Sequence, residues 1–209
     1  MKYVLFIPAF LLFSLTTFAQ DQTLFNGKLE SGGFGAPVVK FTSIKGEFGV
    51  LAGGYGGWLI NHQLLVGLGG YGLVNDIRGT QAAVAEYSRD GRPLYLNFGY
   101  GGFVLEYIAN PSSLVHLSFN TLIGGGAVNY RNNHFDFEEN DFTWEMQDKY
   151  DAFFIVEPGI HAEVNMTDWC RAGIGAQYRY VNGIGSLTGV SNKDFSGPSG
   201  SITLKFGSF

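Results

Sequence analysis

The chain has 209 residues, a length typical of one domain or of two small ones. Charged residues make up 15% of it, against about 25% in an average globular protein, and glycine fills 31 positions, far above the usual share of roughly 7%. Aromatic residues reach 16% and the net charge is −5, which excludes a disordered chain and argues against a nucleic-acid partner. The single cysteine, Cys170, excludes an intramolecular disulfide and a multi-cysteine metal site.

The first nineteen residues have the pattern of a secretory signal peptide. Lys2 gives a positive start, residues 3–15 are mostly apolar, and Ala19 ends a small-residue motif of the kind that signal peptidase cleaves. We therefore expect 1–19 to be removed and the mature chain to start at Gln20. Beyond this segment no apolar run reaches the roughly 20 residues that a membrane-spanning helix needs. A secreted, apolar chain of this kind is expected to satisfy its backbone in lipid as a closed β-barrel.

Apolar residues alternate with polar or small ones along most of the remaining chain, and a period of two is typical of β-strands. In 152–164 the even positions are mostly apolar, whereas the odd ones include Glu157, His161 and Glu163. In a transmembrane barrel the apolar set faces lipid. The apolar residues of the alternating series 94–100 are therefore also expected to point outward. The alternation predicts eight strands, at 35–43, 46–60, 63–75, 94–108, 114–129, 150–165, 169–182 and 199–209.

The connections between these strands alternate in length. Short turns follow the second, fourth and sixth strands, whereas long loops follow the third, fifth and seventh, at 76–93, 130–149 and 183–198. Outer-membrane barrels have short periplasmic turns and long external loops, which fits this order if both termini are periplasmic. We predict an all-β fold: a single antiparallel up-and-down transmembrane barrel over 34–209, preceded by a periplasmic lead-in over 20–33.

A ten-stranded barrel is the alternative architecture, with 130–149 forming a further hairpin inside the membrane. That loop holds six carboxylates, and charge is costly in lipid. A soluble lipocalin-like carrier has the same strand count, but it would place its large apolar residues inside. Both alternatives are therefore disfavoured.

The last strand, 201–209, is amphipathic and ends in Phe209. Together with the eight predicted strands, it resembles the small eight-stranded outer-membrane β-barrel proteins of Gram-negative bacteria, over about 34–209. The resemblance implies a monomer surrounded by outer-membrane lipid, with the C-terminal strand recognised by the barrel assembly machinery. Phe209 is out of phase with the apolar set of its strand, so either a bulge restores the phase or Phe209 points inward.

Charged and imidazole side chains occupy many of the inward-facing positions. These are Lys40, Glu47, Glu106, His116, Glu157, His161, Glu163, Arg171, Arg179 and Lys205. Hairpin geometry predicts three cross-strand pairs among them: Lys40 with Glu47, Glu106 with His116, and Glu163 with Arg171. Side chains alone can fill an eight-stranded barrel, so we interpret this set as a structural polar core without a cofactor or metal. A narrow transport path, or a site for a small polar ligand, is the alternative.

A hydrolase is a further alternative. His116 and Ser118 lie on one face of a strand, a spacing that resembles that of outer-membrane lipid A deacylases. Nucleophilic catalysis needs base and nucleophile within hydrogen-bond reach. However, the pair faces the lumen near the predicted periplasmic end, whereas lipid A lies in the outer leaflet. We therefore predict a non-enzymatic barrel that acts as a structural or binding platform.

The loop 130–149 carries the predicted contact surface. Its aromatic residues alternate with acidic ones, as in a β-hairpin with one aromatic face, and exposed aromatic clusters often mark contact sites. The aromatic patch consists of Phe135, Phe137, Phe142 and Trp144. Either this hairpin folds over the barrel mouth as a lid, or it binds an external protein strand, a glycan or a divalent cation.

Overall fold

The computed structural model describes residues 30–88, 91–132 and 146–209. Eight strands pair in chain order, each antiparallel to the next, and the last closes on the first. The predicted eight-stranded up-and-down barrel is confirmed, and the ten-stranded alternative is wrong. The elements are β1 (Ser31–Ile44), β2 (Glu47–Ile60), β3 (Leu64–Leu73), α1 (Gln81–Tyr87), β4 (Tyr95–Ala109), β5 (Val115–Arg131), β6 (Met146–Thr167), β7 (Cys170–Asn182), α2 (Asn192–Phe195) and β8 (Gly197–Ser208).

Two strands begin four residues earlier than the alternation predicts. β1 starts at Ser31 rather than at 35, inside the segment assigned to the lead-in, because Ser31 still pairs with Ile60. β6 starts at Met146 rather than at 150, because Met146 pairs with Arg131 beyond a register shift in the β5–β6 ladder. The predicted signal peptide and the lead-in before residue 30 lie outside the described residues and stay predictions.

Tight turns with left-handed backbone connect several strands. Lys45 and Gly46 have φ angles of 54° and 77°, which are the positive values that a two-residue hairpin turn requires. Glycine adopts this conformation at little cost, so Gly46 favours the turn between β1 and β2. Asn61 and His62 also have positive φ, at 50° and 58°, between β2 and β3. The long connections follow β3, β5 and β7, so all long loops emerge at one end of the barrel.

The barrel exterior is apolar and the interior is mixed. Along β6, Phe154, Ile160 and Val164 point outward and are 40–50% exposed, whereas Glu157 and Glu163 point inward and are almost fully buried. Outward residues on other strands are more exposed still, with Phe103 at 70% and Ile174 at 67%. Such an apolar band around a closed barrel is the surface that suits a bilayer.

The half of the lumen nearest the long loops is an apolar core. Leu94, Leu96, Phe98 and Tyr100, which the alternation predicts to face lipid, are instead buried. Their strand carries apolar or small residues on both faces, so the alternation does not reveal which set points inward. The predicted outward orientation was wrong because apolar side chains of the long loops pack against these residues inside the barrel.

Glycines make room for rings that lie flat across neighbouring strands. A Cβ placed on Gly126 would stand 2.5 Å from the Phe153 ring and 2.7 Å from the Tyr100 Cβ. A Cβ on Gly175 would stand 2.5 Å from the His161 Nδ1. A narrow barrel that holds aromatic side chains needs such positions, which accounts for part of the high glycine content.

Two of the long loops contain short helices that the sequence analysis did not predict. α1 begins after Thr80, whose hydroxyl accepts a hydrogen bond from the Ala83 N–H at 3.2 Å, and Ala83 itself is buried. The threonine cap followed by alanine and glutamate is the available sequence signal. Neither helix of the described ranges is long and apolar enough to cross a membrane.

Candidate functional site

Most of the predicted inward-facing charged residues form two networks inside the barrel. The first, the Lys205 network, lies in the half nearer the short turns. Lys205 Nζ binds Glu163 Oε1 at 2.6 Å and also binds Glu106, and all three residues are at most 1% exposed. Ser118 Oγ donates a hydrogen bond to the same Glu163 oxygen, and His116 Nε2 lies 3.4 Å from its second oxygen. One cation thus forms salt bridges with two buried carboxylates.

The second network, the Lys40 network, lies further towards the long loops. Lys40 Nζ forms a salt bridge with Glu157 and sits 3.4 Å above the centre of the Tyr71 ring. The Tyr100 hydroxyl donates to Glu157 at 3.1 Å. Because β1 and β6 are not neighbours, this ion pair spans the lumen rather than one hairpin. Such cross-lumen pairs hold opposite walls of the barrel together.

A buried amide branch lies beside these networks. His161 Nε2 is 3.1 Å from Gln177 Nε2, which also donates to Ser201 Oγ at 2.7 Å. The branch therefore connects β6, β7 and β8 on the inner wall.

The two remaining arginines lie at opposite ends of the lumen. Arg179 is fully buried under the long loops, where its Nε donates to the Phe195 carbonyl at 2.6 Å and one Nη donates to Thr42 Oγ1 at 3.3 Å. Arg171 lies at the other end, with its guanidinium carbon 3.9 Å from the centre of the Phe209 ring. The Phe209 ring also packs against Phe34, at 5.4 Å between centroids. Of the two orientations considered for Phe209, the structure has the inward one.

The structure corrects the predicted cross-strand pairs. Lys40 pairs with Leu51, because the β1–β2 turn is centred at residues 45–46, and Glu47 lies at that turn with its side chain 50% exposed. Glu47 is therefore not a lumen residue; its carboxylate lies 4.0 Å from Lys45 Nζ.

The other two predicted pairs fail for the same kind of reason. Glu106 pairs with Asn120 instead of His116, since the β4–β5 turn is centred at residue 113 and not at Pro111. Glu163 pairs with Gly173, and Arg171 pairs with Asn165 at the irregular end of the β6–β7 ladder. A one-residue difference in a turn moves every pair that follows it.

Loop segments cover the mouth of the barrel at the end with the long loops, and we refer to α1 with residues 184–196 as the lid. The Asp151 carboxylate accepts hydrogen bonds at 2.8–3.0 Å from the backbone N–H groups of three successive lid residues, 185–187. Tyr130 OH donates to the Thr188 carbonyl at 2.8 Å, and its ring stacks on Tyr87. The lid is therefore fastened to the barrel rim at several points.

Apolar side chains of the lid fill the mouth from above. Phe195 is fully buried and stacks on Phe98 with 4.8 Å between ring centroids, and Phe98 stacks in turn on Phe153 at 5.2 Å. Ile184 and Leu187 are each 4% exposed. The lid thus continues the apolar core in the half of the lumen nearest the long loops.

The arrangement of His116 and Ser118 differs from that of a hydrolase. Ser118 Oγ is bound to Glu163 rather than to His116, and Ser118 is 0% exposed. His116 Nδ1 lies 3.2 Å from the Ser113 carbonyl. Within residues 30–88, 91–132 and 146–209, no group of three histidine, cysteine or acidic side chains is placed to hold a metal ion. The predicted aromatic patch (Phe135, Phe137, Phe142 and Trp144) lies outside the described residues.

Several lumen residues were missed by the sequence analysis. Tyr55, Tyr71 and Tyr100 line the lumen, and each belongs to a recurring Gly-Tyr-Gly unit. That recurrence was the available signal, because a large ring between two glycines fits an inward position in a narrow barrel. Asp151 was missed because its role depends on a loop that is distant in sequence.

Comparisons with known proteins agree with this architecture. No family model matches the chain, and neither does any curated protein. Among solved structures, the chain is similar to Neisserial surface protein A, with a TM-score of 0.53, 13% identity, and coverage of 86% of this chain and 99% of that one.

Two further barrels show weaker similarity. The N-terminal β-barrel domain of Pseudomonas aeruginosa OprF has a TM-score of 0.45 and 12% identity, covering 86% of this chain and 99% of that one. Ail of Yersinia pestis has a TM-score of 0.45 and 8% identity, covering 85% and 97%. At such identities the likeness shows the fold alone. The fold of this chain is that of the small eight-stranded outer-membrane β-barrel proteins of Gram-negative bacteria.

Proposed function

We propose that the protein is a non-enzymatic outer-membrane barrel whose filled lumen does not conduct and whose rigid external end serves as a binding platform. The observation that carries this proposal is the filling of the lumen in successive layers. From the short-turn end these are the Phe209–Arg171 stack, the Lys205 network, the Lys40 network and the Phe195 stack. The proposed outer-membrane location rests on the apolar exterior, the fold and the predicted signal peptide.

Planar-bilayer recording tests the closed lumen. The refolded chain should insert without steady single-channel currents, and a variant that lacks residues 184–195 should also remain silent, since the two charge networks still fill the barrel below. Stepwise currents from the unaltered chain would contradict the proposal and favour the narrow transport barrel instead. Heat-modifiable migration on a denaturing gel supplies the control that the protein has folded.

Cell fractionation tests the location. We expect the protein in the detergent-extracted outer-membrane fraction, with its N-terminus at Gln20. Recovery in the soluble periplasmic fraction would contradict the membrane assignment. Because the closed sheet leaves no free strand edge, we also propose a monomer, which light scattering in detergent would test.

The C-terminal strand is the proposed contact for the assembly machinery. Its outward residues Ile202, Leu204 and Phe206 are 40–53% exposed, whereas Phe209 packs inside. We therefore expect Phe206→Ala to slow assembly in cells while leaving refolding into detergent intact. If Phe209→Ala slows cellular assembly and Phe206→Ala does not, the outward set is not the recognised feature.

The loop 130–149 is the proposed site for an external partner: a protein strand, a glycan or a divalent cation. Its proposed contacts are the aromatic patch and the surrounding carboxylates. Deleting 134–145 should abolish binding of the protein, glycan or divalent cation at this loop while the barrel still inserts. If the barrel inserts and no binding is lost, the loop does not have this role.

A further inference from the structure

A small polar cavity lies inside the barrel beside the Lys40 network, and Lys40, Tyr71 and Glu157 form part of its wall. The space open to the centre of a water molecule is about 10 Å³, close to the minimum that one water requires. Its walls come from seven of the eight strands, β1 to β7, and they include Lys40, Tyr55, Asn120, His161 and Val104. The surrounding residues are mostly buried, so a molecule in this cavity would be separated from bulk solvent.

Three of the residues that line this cavity each have one buried polar atom without a hydrogen-bond partner among the described protein groups. These atoms are the Tyr55 hydroxyl, the Asn120 Oδ1 and the His161 Nδ1. Tyr55 is 5% exposed and His161 is 2% exposed. Buried polar groups without a partner are uncommon in folded proteins, and ordered water is the usual partner where space allows.

The hydrogen-bond chemistry of His161 supports a polar occupant. Its Nε2 faces the Gln177 amide nitrogen at 3.1 Å, and an amide nitrogen only donates. Nε2 is therefore the acceptor, so the proton of the neutral imidazole is on Nδ1, which needs an acceptor of its own. Asn120 Oδ1 only accepts, and a tyrosine hydroxyl does both. The three atoms thus present donors and an acceptor to the same space.

We propose that this cavity binds one ordered water molecule. The water accepts from His161 Nδ1–H and from the Tyr55 hydroxyl, and it donates to Asn120 Oδ1. Tyr55 also lies beside the Lys205 network, with Lys205 Nζ 5.8 Å from its ring centre. The water therefore connects Tyr55, beside the Lys205 network, to His161 and the Gln177–Ser201 amide branch. The polar side chains of the lumen would then form one continuous group.

Oxygen-17 magnetic relaxation dispersion on the full refolded chain in detergent micelles tests this site, because it counts long-lived internal waters. Val104 is 2% exposed and lines the cavity, so Val104→Ile should fill the space and lower the count by one. Val164→Ile adds the same methylene on the outer face, where Val164 is 40% exposed, and should leave the count unchanged.

A second variant separates water loss from a general packing effect. Tyr55→Phe keeps the ring but removes one hydrogen bond, so it should shorten the residence time of the same water by several fold. Equal counts and residence times in the unaltered chain, Val104→Ile and Tyr55→Phe would overturn the proposal. So would a crystal structure with clear density for Asn120 and His161 and none for a water between them.

Discussion

Lys205 on β8 reaches past β7 to Glu163 on β6, with 2.6 Å between Nζ and Oε1. The same ammonium binds Glu106 on β4, which lies opposite β8 in the closed barrel, so one cation pairs with buried carboxylates from two different strands. Because buried charges are costly without a partner, Lys205 is the residue on which this half of the core depends.

Lys205→Met should therefore destabilise the barrel strongly. Two carboxylates that are at most 1% exposed would lose their cation, and breaking such a buried pair typically costs about 3–5 kcal/mol. Urea unfolding in detergent or liposomes measures the change. Lys193→Met, at an exposed position in α2, is the matched control and should have little effect.

Neutralising one carboxylate should rescue part of this loss. Adding Glu106→Gln to Lys205→Met removes one of the two unpaired charges, so the double variant should be more stable than Lys205→Met alone. If the two substitutions are simply additive, the ammonium does not hold Glu106 in solution.

The closure of the sheet explains why sequence reasoning found the lumen residues but not their partners. The alternation of apolar and polar residues along β6 was sufficient to place Glu157 and Glu163 on the inner wall. Their partners Lys40 and Lys205 come from β1 and β8, neither of which is adjacent to β6, and hairpin geometry relates adjacent strands alone. Turn lengths added a second error, since the pairing of Ala109 with Leu117 centres the β4–β5 turn two residues beyond the expected Pro111.

Gly175→Ala should destabilise the barrel because its Cβ would collide with the buried His161 ring. The nearest ring atoms lie 2.5–2.8 Å from that position, and inserting a methyl group into a packed core costs about 1–3 kcal/mol. Gly72→Ala is the control, because nothing lies within 4 Å of its Cβ position. Equal unfolding midpoints for the two variants would show that the His161 side chain moves aside freely.

Arg171 and Phe209 should stabilise the barrel together. The guanidinium lies 3.9 Å from the ring centre, and a desolvated cation–π contact is worth up to about 2 kcal/mol. In a double-mutant cycle, Arg171→Ala and Phe209→Ala should each lower the free energy of unfolding, and the double variant should lose less than the sum. Strict additivity would mean that the contact contributes nothing.

Asp151→Asn should loosen the lid without unfolding the barrel. The carboxylate accepts three backbone hydrogen bonds from residues 185–187, and hydrogen bonds to a charged group contribute about 1.5–3 kcal/mol. Hydrogen exchange at these amides should become faster, whereas exchange in β6 and β7 below should not change. Asp168→Asn, at the exposed turn between β6 and β7, is the control and should leave the lid amides protected.

The contact between Glu86 and Thr188 should make the lid sensitive to acid. The Thr188 hydroxyl donates to the Glu86 carboxylate, which lowers the pKa of Glu86 below its ordinary value, with Lys149 contributing further. A carboxyl whose pKa is lower in the folded lid stabilises the folded form above its unfolded pKa. That contribution is lost as the pH falls through the folded pKa.

Exchange of the Thr188 amide should therefore accelerate as the pH is lowered from neutral to about 3, after correction for the intrinsic exchange rate. Glu86→Gln should abolish this dependence and give the low-pH behaviour at every pH. A corrected rate that does not vary with pH in the unaltered chain would show that the carboxylate does not fasten the lid.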